Sequence, residues 1–160
     1  MNKISVVFVC LGNICRSPTA HGVFEHMVEA QGLSDRICVD SAGTGDWHLG
    51  HAPDSRSVEV AHRRGIDLSA RRSRLVSAAG FDDGAYILAM DAENLSNLEI
   101  LRPNDFFGHL GLFLDYSANF EEREVPDPYY RGAQGFDLVI ELIEDASAGL
   151  LQHLQKHHRL

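Results

Sequence analysis

Residues 4–18 read ISVVFVCLGNICRSP, and this stretch decides the fold. Its first part, from Ile4 to Val9, is a largely apolar and β-branched run, which is typical of a strand buried on both faces of a parallel sheet. A short loop follows, and Ser17-Pro18 offers an N-cap and a first-turn proline. The stretch therefore predicts a strand, a tight loop and the start of a helix.

The rest of the chain alternates short apolar runs with amphipathic segments. The predicted strands are Ile4–Val9, Arg36–Asp40, Ala85–Met90 and Gly111–Tyr116, and the predicted helices are Thr19–Gln31, Asp54–Arg64, Asp91–Leu101 and Phe136–Leu154. Right-handed crossovers between such strands build a parallel sheet with helices on both faces. We expect one α/β domain over residues 1–160, with four strands in the flavodoxin-like order 2-1-3-4. Ligands of such folds bind beyond the carboxyl ends of the strands.

Bulk composition narrows the class of protein. The 160 residues carry a net charge of -9, which argues against nucleic-acid binding because that needs a basic face. No apolar run approaches the roughly 20 residues that span a bilayer, and no cleavage pattern follows the apolar start. The three cysteines are too few for a disulfide framework and fit a reducing compartment. We expect a cytoplasmic protein with no membrane partner.

The loop after the first strand has the properties of an anion site. A loop wound over a helix N-terminus points backbone N–H groups into one hollow, and Arg16 adds a bidentate guanidinium. These groups favour the thiolate form of Cys10, and the Ser17 hydroxyl can donate to its sulfur. The predicted phosphate-binding residues are Leu11, Gly12, Asn13, Ile14, Cys15, Arg16 and Ser17.

Other interpretations of this loop compete with a nucleophilic site. Cys10 could be a buried strand-end residue and Arg16 a surface charge. Cys10 and Cys15 could ligate a metal, but no second Cys/His pair follows at a usual spacing, so we expect no metal and no cofactor. The glycine-rich signatures of nucleotide-binding loops are absent.

The motifs, taken together, resemble those of the low-molecular-weight protein tyrosine phosphatases. The likeness covers VCLGNICRSP at 9–18, DSAGT at 40–44, DW at 46–47, MDAEN at 90–94 and DPYY at 127–130. These motifs occur in the family's order over nearly the whole chain. The resemblance implies hydrolysis of phosphotyrosine and small aryl phosphates through a phosphocysteine on Cys10.

The same resemblance assigns the other roles. The residues alone do not identify the general acid, since Asp127 is one of several loop acids, together with Asp115, Glu121, Glu122 and Glu124. The resemblance to the family motif implies that Asp127 is the general acid and base. It implies a substrate-ring wall of Trp47, Tyr129 and Tyr130, loop bracing by Asn13, Ser17 and Ser41, and Cys15 as redox partner of Cys10. A bracing histidine of the family is replaced by Ala70, so we expect weaker or rebuilt bracing.

Three rival functions remain. An arsenate reductase needs relay cysteines, and none occurs after Cys38. Protein-arginine phosphatases related to this family have a threonine at the position of Ile14, so the isoleucine here favours phosphotyrosine as the substrate. A non-catalytic phosphate-binding adaptor is expected if Cys10, Arg16 or Asp127 is missing, yet all are present. The family implies tyrosine-phosphorylated partners, with a bacterial tyrosine kinase as a candidate, and we expect a monomer or weak dimer.

Overall fold

The first strand lies at the centre of the sheet. The computed structural model describes residues 3–128 and 132–160. Its strands are β1 (Ile4–Cys10), β2 (Ile37–Gly43), β3 (Tyr86–Ala89) and β4 (His109–Leu112), all parallel and in the order β2-β1-β3-β4. The predicted single-domain α/β class and strand order are confirmed.

Helices cover both faces of this sheet. They are α1 (Arg16–Ala30), α2 (Ser55–His62), α3 (Ala92–Leu101) and α4 (Ala133–His158). Successive side chains of a strand point to opposite faces, so Val6 and Phe8 join the larger apolar cluster with α1 and α4, whereas Val7 and Val9 join a second cluster that contains Leu98 of α3. Because β1 is buried on both faces, the alternation accounts for the consecutive apolar residues from Val6 to Val9.

The fourth strand differs from its prediction. It pairs over His109–Leu112 with β3, and the predicted remainder, Phe113–Tyr116, forms a 3-10 helix. Phe113 is buried because its ring packs against Phe8 at a centroid distance of 4.8 Å. The apolar run after Leu112 is therefore explained by core packing and not by strand pairing.

The start of α1 also corrects a prediction. The helix begins at Arg16, its N-cap is Cys15, and Ser17 is not a cap. The Ser17 hydroxyl instead lies between Cys10 and Asn13. Pro18 is tolerated because the first turn of a helix leaves its N–H groups without intrahelical partners.

The other boundaries move by a few residues. β2 continues to Gly43 and α4 extends from Ala133 to His158, beyond the predicted segments. Within the described residues we find no helix long and apolar enough to cross a membrane.

Candidate active site

The loop of residues 10–17, the Cys10 loop hereafter, joins the carboxyl end of β1 to the start of α1. Cys10 lies beside Gly43 in the sheet register. A Cβ at Gly43 would lie 2.8 Å from the Leu11 carbonyl oxygen and 3.2 Å from the Asn13 backbone nitrogen. Gly43 is therefore needed because the loop passes directly over it.

Carbonyl groups of the Cys10 loop bond outward to surrounding segments. The pairs are Cys10 O with Thr44 N at 2.9 Å, Leu11 O with Gly45 N at 2.9 Å, Gly12 O with Ser73 Oγ at 2.8 Å, Ile14 O with Asp54 N at 2.8 Å, and Cys15 O with Thr19 Oγ1 at 2.6 Å. A trans peptide holds its C=O and N–H on opposite sides. Outward carbonyls therefore turn the intervening N–H groups toward the inside of the loop, which suits an anion.

The sulfur of Cys10 lies at the centre of these donors. Asn13 N is 3.3 Å away and Ser17 N is 3.5 Å away, and Ser17 Oγ lies at 3.0 Å. Asn13 Nδ2 donates to Ser17 Oγ at 2.7 Å, so the single hydroxyl hydrogen of Ser17 can point to the sulfur at 3.0 Å, with the Ala42 carbonyl as a longer alternative at 3.4 Å. Such donors stabilise a thiolate, since they point positive hydrogen atoms at the negative charge.

Arg16 supplies the permanent charge of the site. Its side chain is only 4% exposed, and Nη1 donates to Asp91 Oδ2 at 2.6 Å and to the Val125 carbonyl at 3.0 Å. Burial disfavours the guanidinium, but the negative charges of Cys10 and Asp91 outweigh that effect and raise the pKa of Arg16 above its ordinary value. The guanidinium is thus held charged next to the sulfur.

An open cavity of about 400 Å³ connects the Cys10 loop with the predicted substrate side. Its lining includes Cys10, Arg16, Trp47 and Asp127, and His48 as well. Asp127 Oδ2 lies 3.9 Å from Arg16 Nη2, and Trp47 is 69% exposed at the mouth. The structure therefore brings the three predicted catalytic residues and the tryptophan to one cavity. The predicted wall residues Tyr129 and Tyr130 lie outside the described residues.

The bracing residues are connected through a histidine that the sequence analysis missed. Ser41 Oγ bonds to His21 Nδ1 at 3.0 Å, and Arg71 Nη1 donates to His21 Nε2 at 3.0 Å. Since arginine only donates, Nε2 accepts and Nδ1 carries the hydrogen. His21 thus supplies a bracing histidine from α1, whereas Ala70 is exposed. We had expected weaker or rebuilt bracing, and the structure contains a bracing contact at His21 in place of one at Ala70.

Arg74 links this network to the Cys10 loop. Its backbone N–H donates to Asn13 Oδ1 at 3.0 Å, and its Nε donates to the Ser41 carbonyl at 2.9 Å. Both polar atoms of the Asn13 side chain are therefore hydrogen-bonded, Oδ1 to Arg74 and Nδ2 to Ser17, which fits its predicted bracing role. Ser41 contributes through its carbonyl and through His21.

The second cysteine of the loop is chemically different from the first. Burial, the Asp54 carboxylate and Cys10 raise the pKa of Cys15 to about 12, against a weaker opposite effect of the Ser57 hydrogen bond. Cys15 is therefore a neutral thiol near pH 7. Both cysteines are free and buried in the structure.

Three further residues that touch the site were not recognised in the sequence as parts of it. Asp91 was predicted as the start of a helix and lay within the MDAEN motif, but no role in the site was assigned to it, while Ser73 and His48 carried no signal of their own. Among the described residues, His, Cys, Asp and Glu side chains form no group of three or more that could hold a metal ion.

Comparisons with known proteins agree with this geometry. The sequence model of the family described as low molecular weight phosphotyrosine protein phosphatase matches residues 5–160. The Bacillus subtilis protein named low molecular weight protein-tyrosine-phosphatase YfkJ is 42% identical over 98% of this chain and 99% of its own length. A crystal structure of a protein tyrosine phosphatase from Entamoeba histolytica has a TM-score of 0.91 and 36% identity, and the match covers 98% of this chain and 99% of that one.

A third similar protein carries a different substrate in its name. The crystal structure of DARP, described as a Drosophila arginine phosphatase, has a TM-score of 0.87 and 33% identity, with 94% of this chain and 97% of that chain covered. The match of the family model over nearly the whole chain, together with the near-complete coverage of YfkJ, decides the membership. This chain belongs to the low molecular weight phosphotyrosine protein phosphatase family.

Proposed function

We propose that this protein hydrolyses phosphotyrosine in proteins, and small aryl phosphates, through a phosphocysteine on Cys10. One observation carries the proposal: the Cys10 sulfur faces two backbone N–H groups, at 3.3 and 3.5 Å, in the cavity that Arg16 and Asp127 also line. Donors fixed before the substrate arrives stabilise the charge of the transferring phosphoryl group.

In the first step the Cys10 thiolate attacks phosphorus. The bond between phosphorus and the aryl oxygen breaks, and the Asp127 carboxyl group donates its proton to that oxygen. The inward N–H groups and Arg16 hold the phosphoryl oxygens. Tyrosine then leaves as a neutral phenol, and the phosphoryl group remains on sulfur.

In the second step water attacks the phosphocysteine. Asp127, now a carboxylate, accepts the proton of that water, and the electron pair of the S–P bond returns to Cys10. The Ser17 hydroxyl, 3.0 Å from the sulfur, stabilises the departing thiolate. Inorganic phosphate leaves, and the starting state is restored.

Substrate choice rests on the mouth of the cavity. Trp47 is exposed there and offers a flat apolar surface to a phenyl ring, a contact worth about 1 kcal/mol. The fold alone does not decide against phosphoarginine, since a Drosophila arginine phosphatase shares it. Ile14, 8% exposed and on the cavity wall, favours phosphotyrosine over the more polar phosphoguanidine group.

The test is a panel of phosphotyrosine, phosphoserine and phosphoarginine peptides of one sequence. We expect phosphotyrosine to have the highest kcat/KM, Cys10→Ser to abolish turnover, and Cys38→Ser to leave it unchanged, because Cys38 is exposed on β2. Equal rates on phosphotyrosine and phosphoserine would contradict the role of Trp47. A preference for phosphoarginine would contradict that of Ile14.

The same panel and a separate assay with arsenate and thioredoxin distinguish the other rival functions. A phosphate-binding adaptor would bind phosphotyrosine peptides without releasing phosphate. An arsenate reductase would oxidise thioredoxin in the presence of arsenate, which we do not expect because no cysteine follows Cys38.

A further inference from the structure

Ser73 lies under the Cys10 loop, on the segment between α2 and β3. Its side-chain hydroxyl donates to the Gly12 carbonyl at 2.8 Å, and the residue is only 4% exposed. Its backbone N–H and C=O bond to His51 and Gly50, each at 2.8 Å. Ser73 therefore connects the Cys10 loop to the neighbouring loop that carries Trp47.

The hydroxyl of Ser73 controls one peptide unit of the Cys10 loop. The Gly12 carbonyl belongs to the same planar unit as the Asn13 N–H, and the two point in opposite directions. Asn13 N–H is the group that approaches the Cys10 sulfur at 3.3 Å. Holding the oxygen toward Ser73 therefore holds the hydrogen toward the sulfur.

This peptide unit has an alternative orientation in a more widely populated backbone region. Asn13 has a φ of 55°, in the left-handed region, which asparagine tolerates better than most residues but adopts less often than the extended region. Rotation of the Gly12–Asn13 peptide by half a turn would move φ into the broad extended region. It would also turn the N–H away from the sulfur and point the negative end of the carbonyl at the thiolate.

The hydrogen bond accepted by the Gly12 carbonyl differs from those accepted by the other carbonyls of the loop. The carbonyls of Cys10, Leu11, Ile14 and Cys15 each accept a backbone N–H. In the described part of the chain, the Gly12 carbonyl is bonded to a side-chain hydroxyl alone. A substitution at Ser73 therefore removes the hydrogen bond to the Gly12 carbonyl and leaves the backbone donors to the other carbonyls in place.

We propose that Ser73 is a positioning residue, which keeps the Asn13 N–H turned toward the nucleophile and the bound phosphoryl group. The inference rests on the proposed phosphatase function and adds to it a residue that touches no substrate. Asn13 itself is braced through its side chain by Arg74 and Ser17, so loss of the Ser73 hydroxyl weakens the anion site without abolishing it.

The first test removes only the hydroxyl. Ser73→Ala is expected to shift the pH midpoint of Cys10 alkylation by iodoacetamide upward by about 0.5–1 unit, as expected for the loss of one hydrogen bond between neutral groups. The inhibition constant of inorganic phosphate should rise about threefold to tenfold. Mass spectrometry assigns the label to Cys10 and not to Cys15 or Cys38.

Two controls separate positioning from a general loss of packing. Ser147→Ala removes another buried hydroxyl, in α4, that has no hydrogen-bond partner among the described residues, and it should change neither readout. Ser73→Thr and Ser73→Val have nearly the same shape and differ in the hydroxyl. The threonine variant should approach the wild type, and the valine variant should resemble Ser73→Ala.

The outcomes are decisive even if one variant fails to fold. A folded Ser73→Ala with an unchanged alkylation midpoint and unchanged phosphate inhibition overturns the proposal, whatever its activity. If Ser73→Ala does not fold, equal behaviour of the threonine and valine variants overturns it. Alkylation needs no turnover, so a wild type that hydrolyses no phosphopeptide would refute the proposed function and leave this comparison interpretable.

Discussion

Arg16 and Asp91 form a partly buried ion pair with an Nη1–Oδ2 distance of 2.6 Å, 75 residues apart in the chain. The other oxygen of Asp91 accepts the Asn94 N–H at 2.8 Å, which caps α3. One carboxylate therefore starts a helix and fixes the guanidinium of the candidate active site. Asp127 lies farther from Arg16, at 3.9 Å, and is 41% exposed, which leaves it accessible for proton transfer.

Asp91→Asn should reduce activity without unfolding the protein. Asparagine caps helices about as well as aspartate, so the change removes the charge partner of Arg16 and keeps the cap. A hydrogen bond to a charged group contributes about 1.5–3 kcal/mol, and we expect kcat/KM for an aryl phosphate to fall about tenfold to a hundredfold. Steady-state kinetics and thermal unfolding measure the two effects separately.

The matched control is Asp115→Asn, which breaks an exposed ion pair with Arg123. It should change kcat/KM by less than about twofold, because exposed ion pairs contribute little. If Asp91→Asn behaved in the same way, the Val125 carbonyl would be sufficient to position Arg16.

His21 should make the stability of the protein fall in weak acid. Burial, and then the Arg71 guanidinium, lower the pKa of His21 from 6.5 to about 4, although Glu25 and Asp40 act in the opposite direction. The folded state therefore holds His21 neutral, while the unfolded chain binds a proton below about pH 6.5. This contribution to stability is complete above pH 6.5 and is lost as the pH falls toward 4.

The measurement is the free energy of unfolding between pH 4 and 7 for wild type and His21→Gln. Below pH 6.5 the wild type should lose up to about 1.4 kcal/mol per pH unit more than the variant, the value for one proton. His26→Gln, at an exposed position of the same helix, should follow the wild type. Parallel curves for wild type and His21→Gln would mean that His21 is not held neutral.

Cys15 should protect Cys10 from irreversible oxidation. Hydrogen peroxide converts the Cys10 thiolate to a sulfenic acid and hydroxide, and the Cys15 thiol then condenses with it to a disulfide and water. Because the pKa of Cys15 is about 12, the disulfide step should accelerate as the pH rises. Activity of the oxidised wild type should return with dithiothreitol.

In Cys15→Ser the same peroxide treatment should leave sulfinic acid on Cys10, and dithiothreitol should restore much less activity. Cys38→Ser should recover like the wild type, since Cys38 is exposed on β2. Equal recovery of wild type and Cys15→Ser would remove Cys15 as the redox partner.

Local patterns predicted most of the fold. Residues close together in the sequence determine the strand from Ile4 to Val9 and the strand-loop-helix order around Cys10. Both features could therefore be predicted. The end of β4 was predicted too late, because Phe113 is buried by contact with Phe8 in a 3-10 helix, and hydropathy alone does not distinguish that from a strand. The order of the strands followed from general rules of α/β folds.

The supporting residues of the site were not predictable in the same way. Ser73 lies 61 residues from Gly12 in sequence, and the two meet because the segment after Ser73 pairs with the end of β2 through Gly43. His21 lies among apolar residues of α1, where an isolated histidine gives no signal of function. Their roles arise from sheet register and helix packing, which single-sequence patterns do not specify.

The central claim is that Cys10 becomes phosphorylated during turnover. The most direct test is rapid acid quenching of Asp127→Asn with nitrophenyl phosphate, followed by mass spectrometry. Nitrophenolate leaves without a proton, whereas hydrolysis of the phosphocysteine lacks its general base, so the intermediate should accumulate. We predict a phosphoryl group on the peptide containing Cys10, and its absence there while phosphate is still released would contradict the account.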